Sequence, residues 1–145
     1  IILAKASKSK NREKVHSFDI SIRDSSQEYY LKNDVADWVI PQELESVAAA
    51  KDWSYKNNQP IRLLFVDGDH SYEGCKNDIL FWSKELVPDG VVAVHDYGNI
   101  QGGKFSEVVK AVYDTIISSG EFYDFKRTDT LFFAKKKPDN AKMET

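Results

Sequence analysis

The sequence has a single cysteine, Cys75, in 145 residues, so no intramolecular disulfide can brace the chain. A lone thiol fits a reducing compartment, and a cytoplasmic location is expected. No apolar run comes near the roughly 20 residues a bilayer-spanning helix needs. No signal peptide is legible, because Ile1–Ala4 is too short an apolar stretch and Lys5, Lys8 and Lys10 follow it instead of preceding it. Basic charge is also scarce: 20 Lys and Arg face 23 Asp and Glu, for a formal net charge of −3. A phosphate-binding face needs a basic excess, so neither nucleic acid nor a membrane is an expected partner. Internal repeats and low-complexity blocks are absent. Residues 1–14 contain no glycine, and the chain opens on Ile, not Met, so something upstream of residue 1 is expected.

What is present reads as a folded domain. Hydrophobic residues make up 41% and aromatics 12% of the chain, enough for a core of its own. One domain is expected over 1–137, with 138–145 as a tail. Short apolar runs alternate with amphipathic segments, the signature of an α/β fold with a mostly parallel sheet. Strands are predicted at 15–20, 38–41, 61–67 and 91–95, and helices at 25–33 and 43–55. Ser25 or Asp24 would cap the first of those helices. The run Ile61–Asp67 is almost continuously apolar, as in a strand covered on both faces. Cys75, Ile79, Trp82 and Leu86 form one helical stripe, and Phe105, Val109, Val112 and Ile116 another. Gly102-Gly103 predicts a flexible connection, and Pro88-Asp89-Gly90 a turn. Phe122–Lys126 and Thr130–Lys135 read as a closing hairpin, so the last strand is expected to be antiparallel.

The chemistry gathers where strands end. Asp67-Gly68-Asp69-His70-Ser71-Tyr72 joins a buried strand to a helix, and His95-Asp96 ends the next buried strand. Ligands of open α/β sheets bind beyond the carboxyl ends of the strands. If the two strands are neighbours, their ends lie about 5 Å apart and Asp67 and Asp96 converge. Two carboxylates suit Mg²⁺, which keeps much of its hydration, and His70 suits a general base near neutrality. Bland alternatives stand beside these: Asp69 or Ser71 serves equally well as a helix cap, His95 as a structural residue, Cys75, Trp82 and Phe105 as packing, and Lys135–Lys137 as a solvated strand end. Asp19 ends the first strand, where an acid can accept hydrogen bonds from a ribose.

DGDHSYEG at 67–74, Asp78 and Trp82 in the following helix, the Pro88-Asp89-Gly90 turn and His95-Asp96-Tyr97 together resemble one group. It is the class I S-adenosylmethionine-dependent methyltransferases related to macrolide-sugar O-methyltransferases and cephalosporin-hydroxylase-like proteins. The resemblance runs from about Val15 to Lys136 and is most specific over 61–97. It implies a Rossmann-like, seven-stranded sheet with a reversed last strand, S-adenosylmethionine as cofactor, and O-methylation of a small molecule or sugar. It also implies that Asp19 holds the ribose, that Ser46 approaches the adenine, that Asp67 and Asp96 bind a divalent metal such as Mg²⁺, and that His70 is the base. His95 stands where some members place another acidic ligand and is the third metal candidate. The family's first strand and glycine-rich loop have no counterpart here. Ile1–Ala6 matches the tail of the helix after that loop, so the central strand is expected to be absent and this chain by itself to bind cofactor poorly. Two rival functions are a non-catalytic, degenerate methyltransferase-like binding module and a metal-dependent hydrolase. The second is harder to build from three histidines and one cysteine. The sequence allows a homo-oligomer and does not name the acceptor.

Overall fold

The computed structural model describes residues 1–56, 59–98 and 106–138. The Gly102-Gly103 connection, Phe105 and the tail from residue 139 onward lie outside the described residues. The chain groups into two compact units, Ile1–Ala49 and Ala50–Thr145.

In the first unit, α1 (Ile2–Ser9) leads into β1 (Val15–Asp19), α2 (Asp24–Lys32), a 3-10 turn at Ala36–Trp38 and β2 (Val39–Glu43). β1 and β2 pair in parallel from Val15 opposite Val39 to Asp19 opposite Glu43. Their small core is Ala4, Val35 and Val39, with Ile1, Val15, Tyr30 and Trp38 packed against it. The N-cap of α2 is Arg23, with no side-chain cap bond, so neither Ser25 nor Asp24 takes that role. The helix that was expected from residue 43 begins at Ser46 instead, because β2 runs on through Glu43. The Glu45 carboxylate accepts the Val47 and Ala48 N–H groups at 2.9 and 2.8 Å, satisfying donors that have no partner inside the helix.

α3 (Ser46–Tyr55) ends in the second unit. There follow β3 (Ile61–Val66), α4 (Tyr72–Trp82), a 3-10 turn at Ser83–Glu85, β4 (Leu86–Val94), α5 (Ser106–Val112) with a π-helical turn at Tyr113–Ile117, β5 (Phe122–Thr128) and β6 (Leu131–Lys136). These strands form one sheet in the order β3-β4-β6-β5. β3 and β4 are parallel, and β6 is antiparallel to both β4 and β5. The reversed final hairpin is therefore as expected. Of the first predicted stripe, Cys75, Ile79 and Trp82 of α4 are at most 5% exposed, while Leu86 already belongs to β4; of the second, Val112 and Ile116 are buried, but the inner face also takes Val108 and Ala111 and leaves Val109 only half-buried.

Two expectations need correction. Pro88-Asp89-Gly90 does not precede the strand but lies within it, as an irregularity where the register jumps from Ile61–Leu86 to Leu63–Val91. Asp89 takes a left-handed φ of 63° there, and the Tyr123 hydroxyl donates to its carboxylate. A Cβ on Gly90 would stand 2.7 Å from the Val87 carbonyl oxygen, so the residue's lack of a side chain is what lets the strand continue. Second, β3 is not covered on both faces. Leu64 and Val66 are buried, but Leu63 and Phe65 are 42% and 45% exposed. β3 is a sheet edge among the described strands, and α4 packs on it from the other face.

Candidate functional site

The parallel ladder of β3 and β4 sets Val66 opposite Val94, and the His95 N–H still reaches the Val66 carbonyl at 3.0 Å. Asp67 and His95 therefore leave the sheet side by side. The chain then turns sharply at Asp96, whose φ of 58° lies in the left-handed region. Among ordinary side chains Asp and Asn tolerate that region best. The turn is held from the hairpin: Tyr97 N–H donates to the Thr130 carbonyl at 2.8 Å, and Tyr97 packs on Phe132 at 4.8 Å between rings. A Cβ on Gly98, at φ 77°, would stand 3.0 Å from the Arg127 guanidinium, which donates to the Gly98 carbonyl.

Three of the residues predicted from sequence meet at this rim. His95 Nδ1 lies 3.0 Å from Asp67 Oδ1 and 3.2 Å from Asp96 Oδ2. Nδ1 is buried, and no partner among the described residues is aligned with it for a hydrogen bond. Close approach without alignment leaves the imidazole's in-plane direction uncommitted. One ligand atom from each of Asp67, His95 and Asp96 falls within 4.8 Å of the others, a spacing that could hold a metal ion. His70, the fourth, places Nε2 2.8 Å from Asp96 Oδ2. The Asp96 side chain is 17% exposed and so is the most enclosed of the group. A shallow cavity with Val66, Val94, Cys75 and Val108 along its wall opens beside these side chains.

Of the two cap candidates, Ser71 is the N-cap of α4 and Asp69 braces it. Asp69 accepts the Ser71 N–H at 2.9 Å and the Ser71 hydroxyl at 2.8 Å, while Ser71 Oγ accepts the Gly74 N–H at 3.1 Å. These bonds hold the Asp69 carboxyl below its ordinary pKa, the backbone N–H of Ser71 contributing most. Gly74 makes this packing feasible, since a Cβ there would fall 2.3 Å from Asp69 Oδ2. Cys75 is 2% exposed, and burial pushes its thiol up to about 12, so it is a packing residue.

Asp19 and Ser46 belong to the other compact unit. Asp19 ends β1 exposed, with Oδ1 accepting the Ser21 N–H at 3.0 Å. Its register partner Glu43 accepts the Ile22 N–H at 3.1 Å, so the carboxyl end of this small sheet presents two acids. Ser46 is the first residue of α3. Sequence reasoning missed Glu43, whose position depends on pairing. It also missed Glu107 of α5, which accepts the Tyr72 N–H at 2.9 Å and so supports the start of α4 from 35 residues away. No spacing in the sequence signals that contact.

A mixed α/β sheet whose parallel strands β3 and β4 end in acids and an imidazole belongs to the Rossmann-like class, in which ligands bind beyond the carboxyl ends of the strands. The particular family follows from comparison: a family model described as a methyltransferase domain matches residues 1–97, and the chain belongs to that family. The fold agrees with solved structures. An O-methyltransferase from Bacillus cereus, in complex with SAH, is 15% identical with a TM-score of 0.68, over 86% of this chain and 63% of the other. CalS11, a TDP-rhamnose 3'-O-methyltransferase of calicheamicin biosynthesis, is 14% identical with a TM-score of 0.66, over 92% and 64%. The MycE methyltransferase of mycinamycin biosynthesis, in complex with Mg and SAH, is 12% identical with a TM-score of 0.61, over 92% and 39%. The chain thus spans less than two thirds of the length of these three proteins. No helix among the described residues is long and apolar enough to cross a membrane.

Proposed function

We propose that the protein containing this chain transfers the methyl group of S-adenosylmethionine to a hydroxyl oxygen of a small molecule or sugar, with a divalent metal at Asp67, Asp96 and His95. The observation that carries this reading is the convergence of those three side chains and His70 on one rim of a methyltransferase-domain sheet. The donor set fits a cation: two carboxylates with a buried imidazole nitrogen between them that has no aligned partner among the described residues. When bound, the cofactor supplies a methyl group on a cationic sulfur and the metal supplies positive charge to the acceptor oxygen.

The rest is work for the chain's own residues. Asp96 accepts a hydrogen bond from His70 Nε2, which fixes that ring's orientation and places the lone pair of the neutral tautomer on Nδ1. His70 Nδ1 then takes the acceptor's hydroxyl proton, and the Asp96 carboxylate steadies the resulting imidazolium. A carboxylate has two oxygens and about four lone-pair sites, so Asp96 can serve His70 and a cation together. When the cofactor is bound, Asp19 would accept from its ribose hydroxyls and Ser46 would approach its adenine. Self-association and a cytoplasmic setting belong to the same proposal.

The test is methyl transfer from radiolabelled S-adenosylmethionine to a panel of sugar and phenolic hydroxyl acceptors, using the full-length protein. Asp67→Asn should abolish metal-dependent turnover, and His70→Ala should lower kcat by about 10²–10⁴. Full activity in the presence of EDTA removes the metal from the scheme. Cofactor binding with no transfer to any acceptor favours the non-catalytic module.

A further inference from the structure

Resting on the metal reading above, the geometry points to one specificity: we infer that His95 makes this site select a first-row transition ion, in the series Mn²⁺ to Zn²⁺, over Mg²⁺. The three donors are unlike one another. Asp67 Oδ1 and Asp96 Oδ2 are hard oxygens, and between them, at 3.0 and 3.2 Å, stands a borderline nitrogen. Mg²⁺ prefers an all-oxygen octahedron and gives up water reluctantly. Imidazole suits the later first-row ions, whose affinity for a given nitrogen and oxygen site rises along the series toward copper. Position 95 therefore decides which ion the pair of carboxylates retains.

Backbone geometry supports a fixed role for this nitrogen. His95 N–H is still in the β3–β4 ladder, so the residue is anchored by the sheet and not by a loop. The left-handed turn at Asp96 brings the second carboxylate back toward the ring. Phe65 stands 6.4 Å from the His95 ring centroid and bounds it on the strand side. The two carboxylates offset the charge of a divalent cation, and a neutral imidazole adds a donor without adding charge. Its Nδ1 has no aligned hydrogen-bond partner among the described residues, so a metal–Nδ1 bond forms without breaking one.

Isothermal titration of the full 145-residue chain with Mn²⁺, Co²⁺ and Mg²⁺ separately reads the preference directly, and pulsed EPR of the Mn²⁺ form reads the nitrogen. The expected result is Co²⁺ bound at least about tenfold more tightly than Mg²⁺, with Mn²⁺ between the two. A ¹⁴N coupling should persist in His70→Ala and vanish in His95→Asp. His95→Asp should also narrow the Co²⁺-to-Mg²⁺ ratio by about tenfold or more, since the set becomes all oxygen. Should the aspartate variant fail to fold by circular dichroism, His95→Gln, which offers an oxygen at similar reach, replaces it. Equal affinity for Mg²⁺ in the parent, or an unchanged ratio in the variant, overturns the selectivity while leaving a metal site in place. Absence of binding by all three ions overturns the selectivity and the metal reading together.

Discussion

Gly74→Ala should destabilise the protein although it replaces glycine by the best helix former. The new Cβ would fall 2.3 Å from Asp69 Oδ2, 2.5 Å from Cγ and 2.6 Å from Cβ. Because even the Asp69 Cβ is too close, rotating that side chain away does not relieve the clash. The strand-end loop must move, and Asp69 must release both of its bonds to Ser71. Each bond contributes about 0.5–1.5 kcal/mol, and the carboxylate's place at the start of α4 adds about 0.3–1 kcal/mol. Against this, alanine in place of glycine favours a helix interior by about 1 kcal/mol, and less in a first turn. The losses win, and the net cost is about 1–3 kcal/mol in urea denaturation. Asp69→Gly removes all three clashing atoms, so in that background Gly74→Ala should be neutral or slightly stabilising. A double-mutant cycle measures this reversal of sign. A cost that is the same in both backgrounds, or no cost in the parent, would refute the steric account. The same displacement should weaken metal binding, because Asp67 and His70 flank Asp69 in the moved loop.

Other predictions bear on the core and on pH. Ile79 is 0% exposed, and Ile79→Ala should cost about 2–5 kcal/mol, measured by the same denaturation. Cys75 should resist alkylation by iodoacetamide at pH 8 in the folded protein and react once urea unfolds it, since burial raises its thiol from 9.0 to about 12. The sign of the linked stability follows: between about pH 9 and 12 the unfolded chain ionises this thiol and the folded chain does not, so stability falls with rising pH there. Cys75→Val should flatten that part of the profile. The depressed Asp69 carboxyl acts at the other end, contributing stability above its ordinary range that is lost as pH falls through its lowered value. Asp69→Asn should therefore reduce the acid sensitivity of unfolding.

The sequence by itself determined the α/β alternation, most of the apolar stripe of α4, the reversed hairpin and the two short runs of acids and histidines that end β3 and β4. Each of these depends on periodicity or on short local spacing, which the chain carries whatever its surroundings. Asp67 and His70 stand three residues apart, and His95 and Asp96 adjoin. Only tertiary structure decided how those pairs meet. The β3–β4 register put His95, and not Asp96, directly beside Asp67, and the left-handed turn then carried Asp96 to His70. Of Asp69 and Ser71, equal cap candidates by position, Ser71 became the N-cap, and Asp69 braces it in the room that Gly74 leaves. The exposure of Leu63 and Phe65 was also illegible, since a continuous apolar run signals cover on both faces and does not say which segment supplies it. Register and long-range support such as that of Glu107 for Tyr72 arise from which segments pack together, and that free energy is summed over the whole fold instead of being written at any one position.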